Sequence, residues 1–292
     1  MYGKVDAMDG TKPIPFDFHA PRDCGEACGL PVARSFDWPC DHCPTREDGL
    51  CRLLSHQDRD RLFPHGPHIQ LRKAGATLFR QGDPLQSVFI LKSGWVMTSK
   101  MFENGQRQII RFALPGDLLG FEGDEATGMT CSAEAITDVT LCKVRHALFF
   151  HVCTGSPRLA MTYAGTLTRE VLSAWNHLGA LGQQPALGRV ANLLLDLHRR
   201  VTAHKAADQA AHHAAPAPAV HLPISQIHIA DATGLTSVHV CRTLKQMRKM
   251  GLLDFQKGWL VLLDPERLAG IAQLDPAVPA DGALAAAPWA AA

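Results

Sequence analysis

The residues with the most distinctive chemistry in this sequence are cysteines near its amino-terminal end. Five of the nine cysteines lie within residues 24–51, namely Cys24, Cys28, Cys40, Cys43 and Cys51. In a reducing compartment, clustered thiols are candidate metal ligands or redox groups rather than disulfide partners. The Gly, Pro and Asp residues between them favour tight turns that expose backbone N–H groups. We therefore interpret this segment as a binding site and not as part of a core.

A second distinctive segment is ISQIHIADATGLTSVHVCRTLKQMRKMGLL, residues 224–253. It predicts a helix, a turn at Gly234, and a second helix capped by Thr236 or Ser237. The apolar residues of the second helix recur at spacings of 4 and 3, which predicts one buried face. That face comprises Val240, Leu244 and Met247. The pattern is typical of a helix-turn-helix unit that reads DNA.

Basic side chains surround this second helix. Between Ser237 and Lys257 the chain carries five cations against Asp254 alone, a local charge of +4. Such a helix can place its first residues on base edges in the major groove while nearby cations meet phosphates. The expected DNA contacts are Thr236, Ser237, Val238, His239, Arg242, Lys245 and Lys257, with Arg242 reading guanine. The alternative is a solvated basic face on an ordinary helical hairpin.

The remaining elements must position these two groups. Short β-prone segments separated by turns between about residues 68 and 150 predict an antiparallel β-roll, with a hairpin at Asn104-Gly105. A helix is expected after Pro157, and another after Pro185. The segment LLDFQKGWLVLL predicts two strands about Lys257-Gly258, as in the wing of a winged helix. The predicted fold is therefore α+β.

The helix after Pro157 carries small and apolar residues at spacings of 4 and 3 that keep one seam facing a partner helix. The seam consists of Ala160, Ala164, Leu167, Val171, Ala174, Leu178 and Leu181. Three heptads of this pattern predict a homodimer. The alternative is a helix that packs against its own domain.

Composition limits the remaining possibilities. The 292 residues carry a net charge of +1, and no apolar run approaches the roughly 18 residues of a membrane span. The first residues have no secretory signal, so we expect a cytoplasmic protein without a membrane partner.

Residues 202–221, rich in Ala, His and Pro, predict a linker or surface loop. The expected divisions are an arm with the cysteine cluster (1–55), a sensor roll (56–156), a dimerisation helix (157–183), a winged helix-turn-helix (184–272) and a disordered tail (273–292).

In this order of elements the chain resembles the Crp/Fnr family of bacterial transcription regulators, over about residues 40–270. The resemblance is carried by FRQGDPLQSVFILKSGWV, by PGDLLGF at residues 115–121 and by GLTSVHVCRTLKQMRKMGLL. It implies a roll similar to a cyclic-nucleotide-binding domain, a dimer on a palindromic operator, RNA polymerase as a partner and no enzymatic activity. The family's cAMP-binding members hold the cyclic phosphate with an Arg-Ser pair. The corresponding stretch GDEATGMTCSAEA has no arginine, which disfavours that ligand.

The spacing C-x2-C-x7-C of Cys40, Cys43 and Cys51 resembles the Fnr-type oxygen sensors, whose fourth ligand lies in the roll. Alignment with AITDVTLCKV places Cys142 at that position, which implies a 4Fe-4S cluster. The resemblance further implies that oxygen converts the cluster, loosens the dimer seam and lowers DNA affinity. The sequence departs from these sensors at Val238. Valine cannot accept a hydrogen bond from a cytosine amino group, so we expect an operator that differs in sequence from theirs.

Three alternatives remain open at this stage. Zinc could be held by Cys24, Cys28, Cys40 and Cys43. Cys131 is a further thiol of the roll that could serve as a ligand. Haem or another small ligand could bind in the roll, with His146 and His151 as possible axial ligands.

Overall fold

The computed structural model describes residues 40, 43, 45–46, 49–64, 66–124, 126–208 and 219–273. Residues 1–39 of the expected arm, which include the pair Cys24 and Cys28, and the tail beyond Gln273 lie outside these residues. Within them no helix is long and apolar enough to cross a membrane. The helices are α1 (His56–Leu62), α2 (His146–Gly155), α3 (Pro157–Gln183), α4 (Ala186–Asp208), α5 (Gln226–Thr233), α6 (Ser237–Lys249) and α7 (Pro265–Ala272).

Two four-stranded antiparallel sheets build the predicted roll. Their orders are β1-β10-β3-β6 and β2-β9-β4-β5. The strands are β1 (His68–Arg72), β2 (Thr77–Phe79), β3 (Ser87–Ser93), β4 (Val96–Met101), β5 (Arg107–Ala113), β6 (Leu118–Leu119), β7 (Gly123–Asp124), β8 (Gly128–Met129), β9 (Ser132–Ala135) and β10 (Val139–Arg145). An apolar cluster joins the sheets, with Leu91 and Leu141 from one and Val96 and Ala133 from the other. The expected α+β fold is confirmed.

The carboxy-terminal unit combines α4 to α7 with a three-stranded sheet of order β11-β13-β12. Its strands are β11 (Val220–His221), β12 (Leu253–Gln256) and β13 (Trp259–Leu262). The last two flank Lys257 and Gly258, as predicted for a wing. A second apolar cluster contains residues of this unit such as Leu194 and Ile229 together with Met97, Ile109 and Phe112 of the roll.

Only Gln184 and Pro185 separate the long helix α3 from α4. The Gln184 side chain donates to the Ala272 carbonyl at 2.7 Å, and Arg189 Nε donates to the Gln184 carbonyl at 2.9 Å. The junction is therefore tied to α4 and to the end of α7.

Two expectations about local structure were wrong in part. Residues 146–155 form helix α2, whereas the sequence pattern placed them in the roll; α2 packs on the roll through Phe149, which is fully buried. The expected linker 202–221 begins as the last turns of α4, which continues to Asp208, and ends in β11. Alanine has the highest helix propensity, so this alanine-rich stretch can extend a helix without an amphipathic face. Residues 209–218 lie outside the described part.

Two glycines with positive φ permit a test of packing in the roll. Gly94 (φ 86°) follows β3, where a Cβ atom would lie 2.3 Å from the Asp138 carbonyl oxygen, whereas Gly105 (φ 77°) in the β4–β5 turn has open space. Gly105→Ala should cost about 1 kcal/mol from backbone strain alone. Gly94→Ala should lower the free energy of unfolding by at least about 1 kcal/mol more, because backbone must also shift. Urea denaturation of both variants measures the difference, and equal midpoints would contradict this account.

Candidate functional site

The helix-turn-helix has the predicted construction. Helix α5 ends at Gly234, whose φ of 64° is left-handed, and α6 begins after Thr236. The Thr236 hydroxyl accepts a hydrogen bond from the His239 backbone N–H at 3.2 Å, so Thr236 is the N-cap. The predicted inner face of α6 is buried, with Val240 and Met247 completely enclosed.

All seven side chains predicted to contact DNA are solvent-exposed: Thr236, Ser237, Val238, His239, Arg242, Lys245 and Lys257. Arg248, which the charge count also included, instead forms an ion pair with Asp254 of β12 at 2.6 Å. This pair ties the last turn of α6 to the wing.

The wing ends in a tight turn that presents a cation. Lys257 (φ 49°) and Gly258 (φ 81°) both have positive φ, as in the type I′ turns that suit two-residue hairpins. Beside the turn, the half-exposed Trp259 lies against His221, with ring centroids 5.0 Å apart. The aromatic pair holds β13 against β11 next to Lys257.

The second group comprises the four thiols of the predicted ligand set. Cys40, Cys43, Cys51 and Cys142 line one small pocket. Cys142 lies on the central strand β10, paired with Ile69 of β1 and Ile90 of β3. Cys51 starts a short 3-10 turn, and its carbonyl accepts a hydrogen bond from Arg46 at 2.5 Å. The Cys43 backbone N–H donates to the Cys40 carbonyl at 3.3 Å.

Burial and mutual proximity oppose ionisation of these thiols. Burial raises the pKa of Cys51 to about 12, with further increases from Cys142, Cys43 and Cys40. Burial likewise raises the pKa of Cys142 to about 12, again reinforced by Cys43 and Cys40. Four thiolates could coexist here only with a cationic group to offset their charge, and binding such a group would release protons.

The spacing of the thiols is not that of a site for one ion. Among the described residues, no three His, Cys, Asp or Glu side chains are arranged to hold a single metal ion. The pocket that these thiols line, together with apolar side chains such as Leu54 and Ile90, has a volume of about 20 Å³. An inorganic cluster is larger, so the pocket would have to widen to hold one.

The other candidate ligands lie elsewhere. Cys131 is buried in the cluster between the two sheets and does not line the thiol pocket. His146 and His151 both lie on α2, where the His146 ring packs against Phe150 at 4.5 Å. Neither histidine lines the thiol pocket or the larger cavity described next.

A cavity of about 450 Å³ lies between the roll, α3 and α4. Its wall includes Thr130 and Cys131, from the stretch that lacks an arginine, but also Arg111 from β5. Arg111 is bound to Glu170 of α3 and donates to the Leu118 carbonyl at 2.6 Å. This buried cation lies on β5 and not in residues 123–135, so the sequence of that stretch gives no sign of it. A carboxylate already neutralises it.

The predicted seam of α3 is largely uncovered in the single chain. Ala164, Val171, Ala174 and Leu178 are exposed, and Leu178 retains 66% of its accessible surface. Ala160, Leu167 and Leu181 are half-buried. Trp175 adds a large exposed aromatic side chain to this part of the helix.

Comparison with known proteins decides the family. A model of the cyclic nucleotide-binding domain matches residues 70–155, and a model of the Crp-like helix-turn-helix domain matches residues 188–271. The nitrogen fixation regulation protein FixK of Bradyrhizobium diazoefficiens is 32% identical over 80% of this chain and 93% of its own length. The chain belongs to the Crp/Fnr family.

Two further Crp/Fnr proteins support the assignment. The transcriptional activator protein FnrA of Stutzerimonas stutzeri is 29% identical over 77% of this chain and 89% of its own. The solved structure of FixK2 from Bradyrhizobium japonicum superposes with a TM-score of 0.63 at 27% identity, covering 72% of this chain and 98% of that one. This Crp/Fnr protein is therefore a transcription regulator with a DNA-binding helix-turn-helix.

The N-cap of α6 provides a test of how this helix is held. Thr236→Ala removes the hydroxyl that accepts the His239 N–H, and it should lower the free energy of unfolding by about 1 kcal/mol. Thr236→Ser keeps the hydroxyl and serves as the matched control. Urea denaturation of the full chain, followed by circular dichroism, measures both. A serine variant as unstable as the alanine variant would contradict the capping role.

Proposed function

We propose that this Crp/Fnr regulator binds its operator as a homodimer under the control of a 4Fe-4S cluster with Cys40, Cys43, Cys51 and Cys142 as ligands. The observation that carries the proposal is the convergence of three thiols from the amino-terminal segment with one thiol of the roll in a single pocket. A ligand bound by all four thiols would link the amino-terminal segment to the roll, and loss of that ligand would break the link.

The donor set fits such a cluster in ligand type and number. Soft thiolates are the ligands that iron-sulfur clusters require, and four cysteines are the usual complement. In a cluster each thiolate binds a different iron, so the sulfurs lie further apart than the roughly 3.8 Å that follows from tetrahedral Zn–S bonds of about 2.3 Å. The absence, among the described residues, of a group spaced for one ion therefore does not argue against a cluster. When bound, the group would supply an oxygen-sensitive link.

The protein's own contacts connect the thiol pocket with the dimerisation helix. Strand β10, which carries Cys142, runs into α2, and only Ser156 separates α2 from α3. Cys142, Phe149 of α2 and Leu159 of α3 belong to one apolar cluster together with Leu50, the neighbour of Cys51. A shift of the amino-terminal segment at the pocket would therefore disturb packing at the start of α3.

The metal content tests the proposal directly. Protein purified without air should be brown and contain iron and acid-labile sulfide, and Cys142→Ala should lose most of both. Cys153→Ala is the matched control, because Cys153 is also buried but lies on α2 and does not line the pocket. Wild-type and control protein should bleach in air and bind operator DNA more weakly afterwards.

Two results would contradict parts of this proposal. A colourless, air-stable protein that contains zinc would favour the structural zinc alternative. Protein that binds DNA equally before and after aeration would remove the sensing role, whatever the metal. The absence of a Soret absorption band would dismiss haem.

For DNA reading, we propose that Arg242 contacts a base and that Lys245 and Lys257 contact phosphates. All three side chains are exposed, Arg242 and Lys245 on α6 and Lys257 in the turn of the wing. Because the exposed Val238 side chain has no hydrogen-bonding group, it can contact a base only through apolar atoms. Two such units in a dimer would face half-sites about one helical turn apart.

Arg242→Ala should weaken binding to the best operator by about 1–3 kcal/mol and relax the preference for one base pair in each half-site. Arg80→Ala is the control, since it removes the same exposed charge from the roll. Electrophoretic mobility shifts over a range of salt concentrations measure both variants. Unchanged affinity and base preference in Arg242→Ala would contradict the base contact.

A further inference from the structure

The roll and the DNA-reading unit meet along β5. Ile109 and Phe112 of this strand share an apolar cluster with Leu193, Ile229 and Ala232 of α4 and α5. Apolar contact resists separation but is non-directional, so it does not by itself fix one angle between two bodies. Fixing one angle therefore requires directional contacts, such as hydrogen bonds or ion pairs, at the same junction.

Arg107, at the start of β5, provides such a contact. Its Nε and Nη2 atoms both lie 2.8 Å from Oδ2 of Asp231 on α5. Only 25% of the Arg107 side chain and 23% of the Asp231 side chain remain accessible. Ion pairs between exposed side chains contribute little, whereas a shielded, charge-assisted pair with two donors is both stronger and more specific in geometry.

The next two residues of α5 are held as well. Gln108 Nε2 donates to the Ala232 carbonyl at 3.0 Å. Arg189 of α4 donates to the Thr233 carbonyl at 3.4 Å. Arg107 and Gln108 of the roll and Arg189 of α4 thus hold three successive residues in the last turn of α5, and we call these contacts the grip.

This grip lies immediately before the reading helix. Only Gly234 and Leu235 separate Thr233 from Thr236, the N-cap of α6. With the grip in place, the outer face of α6 is exposed, including Val238 and Arg242. The gripped arrangement therefore leaves the reading face accessible to DNA.

We infer that Arg107 and Gln108 are positioning residues for DNA reading: through Asp231 and Ala232 they set the angle of α6 relative to the roll. In a dimer this angle determines the separation and direction of the two reading helices, and hence the half-site spacing that the protein accepts. The inference rests on the dimeric DNA-binding part of the proposed function and is independent of the cluster.

Spacing tolerance tests the inference, because a merely structural contact would not alter it. The probe is the duplex that wild-type protein selects from random-sequence DNA, remade with one base pair added or removed between the half-sites. Wild-type protein should lose at least about tenfold in affinity on either change. Arg107→Gln and Asp231→Asn should each bind the original duplex about tenfold more weakly and lose less than about threefold on the altered spacings.

Three controls accompany these variants. The double variant should bind no more weakly than Arg107→Gln, since that single variant already removes the contact with Asp231 together with the longer contact of 3.8 Å with Glu134. Lys73→Gln breaks the exposed ion pair with Asp138 on the roll and should behave as wild type. Binding to unrelated duplex, and its salt dependence, should be unchanged in all variants because no phosphate contact is removed. Gln108→Leu provides a further variant if Arg107→Gln does not fold.

Two outcomes would overturn the inference alone. One is that the variants retain wild-type affinity and wild-type discrimination between spacings. The other is that they bind the selected duplex more tightly, which would mean that the grip holds an arrangement unsuited to DNA. If wild-type protein selects no sequence at all, the proposed dimeric reader fails, and this inference fails with it.

Discussion

The apolar face that β4 and β5 turn away from the interior of the roll is buried against α4 and α5. Along β4, Val96 belongs to the cluster between the two sheets, while its neighbour Met97 belongs to the cluster shared with the reading unit. Successive side chains of a strand point to opposite faces, so this sheet is covered on both sides. Because the two units share a core, a displacement of one must expose apolar surface or carry the other with it.

The parts of the fold that followed from sequence are those with local signals. The hairpin at Asn104-Gly105, the turn at Gly234 and the cap at Thr236 each depend on a few neighbouring residues whose backbone preferences are known. Helix α2 was missed because its apolar residues continue the pattern of the strand before it. The contact between Arg107 and Asp231 joins residues 124 positions apart. Tertiary packing determines such a pairing, and no periodicity in the chain reveals it.

In the candidate metal site, too, some ligands could be predicted from local sequence and one could not. The spacing of Cys40, Cys43 and Cys51 marks a ligand segment by itself, whereas Cys142 is one thiol in an apolar strand, where cysteine usually packs as a small hydrophobe. Only the resemblance to a family singled it out. The register of β10 between β1 and β3 explains why Cys142 reaches the same pocket as the other three.

The two-residue junction between α3 and α4 restricts how this chain can change in length. Gln184 has an extended backbone (ψ 145°), so one residue inserted at Gln184 or Pro185 would lengthen the connection by as much as about 3.5 Å and displace α4 relative to α3. The contacts of Gln184 with Ala272 and Arg189 leave little slack to absorb that displacement. Amino-acid exchanges are therefore compatible with this junction, whereas insertions and deletions in related chains should be confined to other segments.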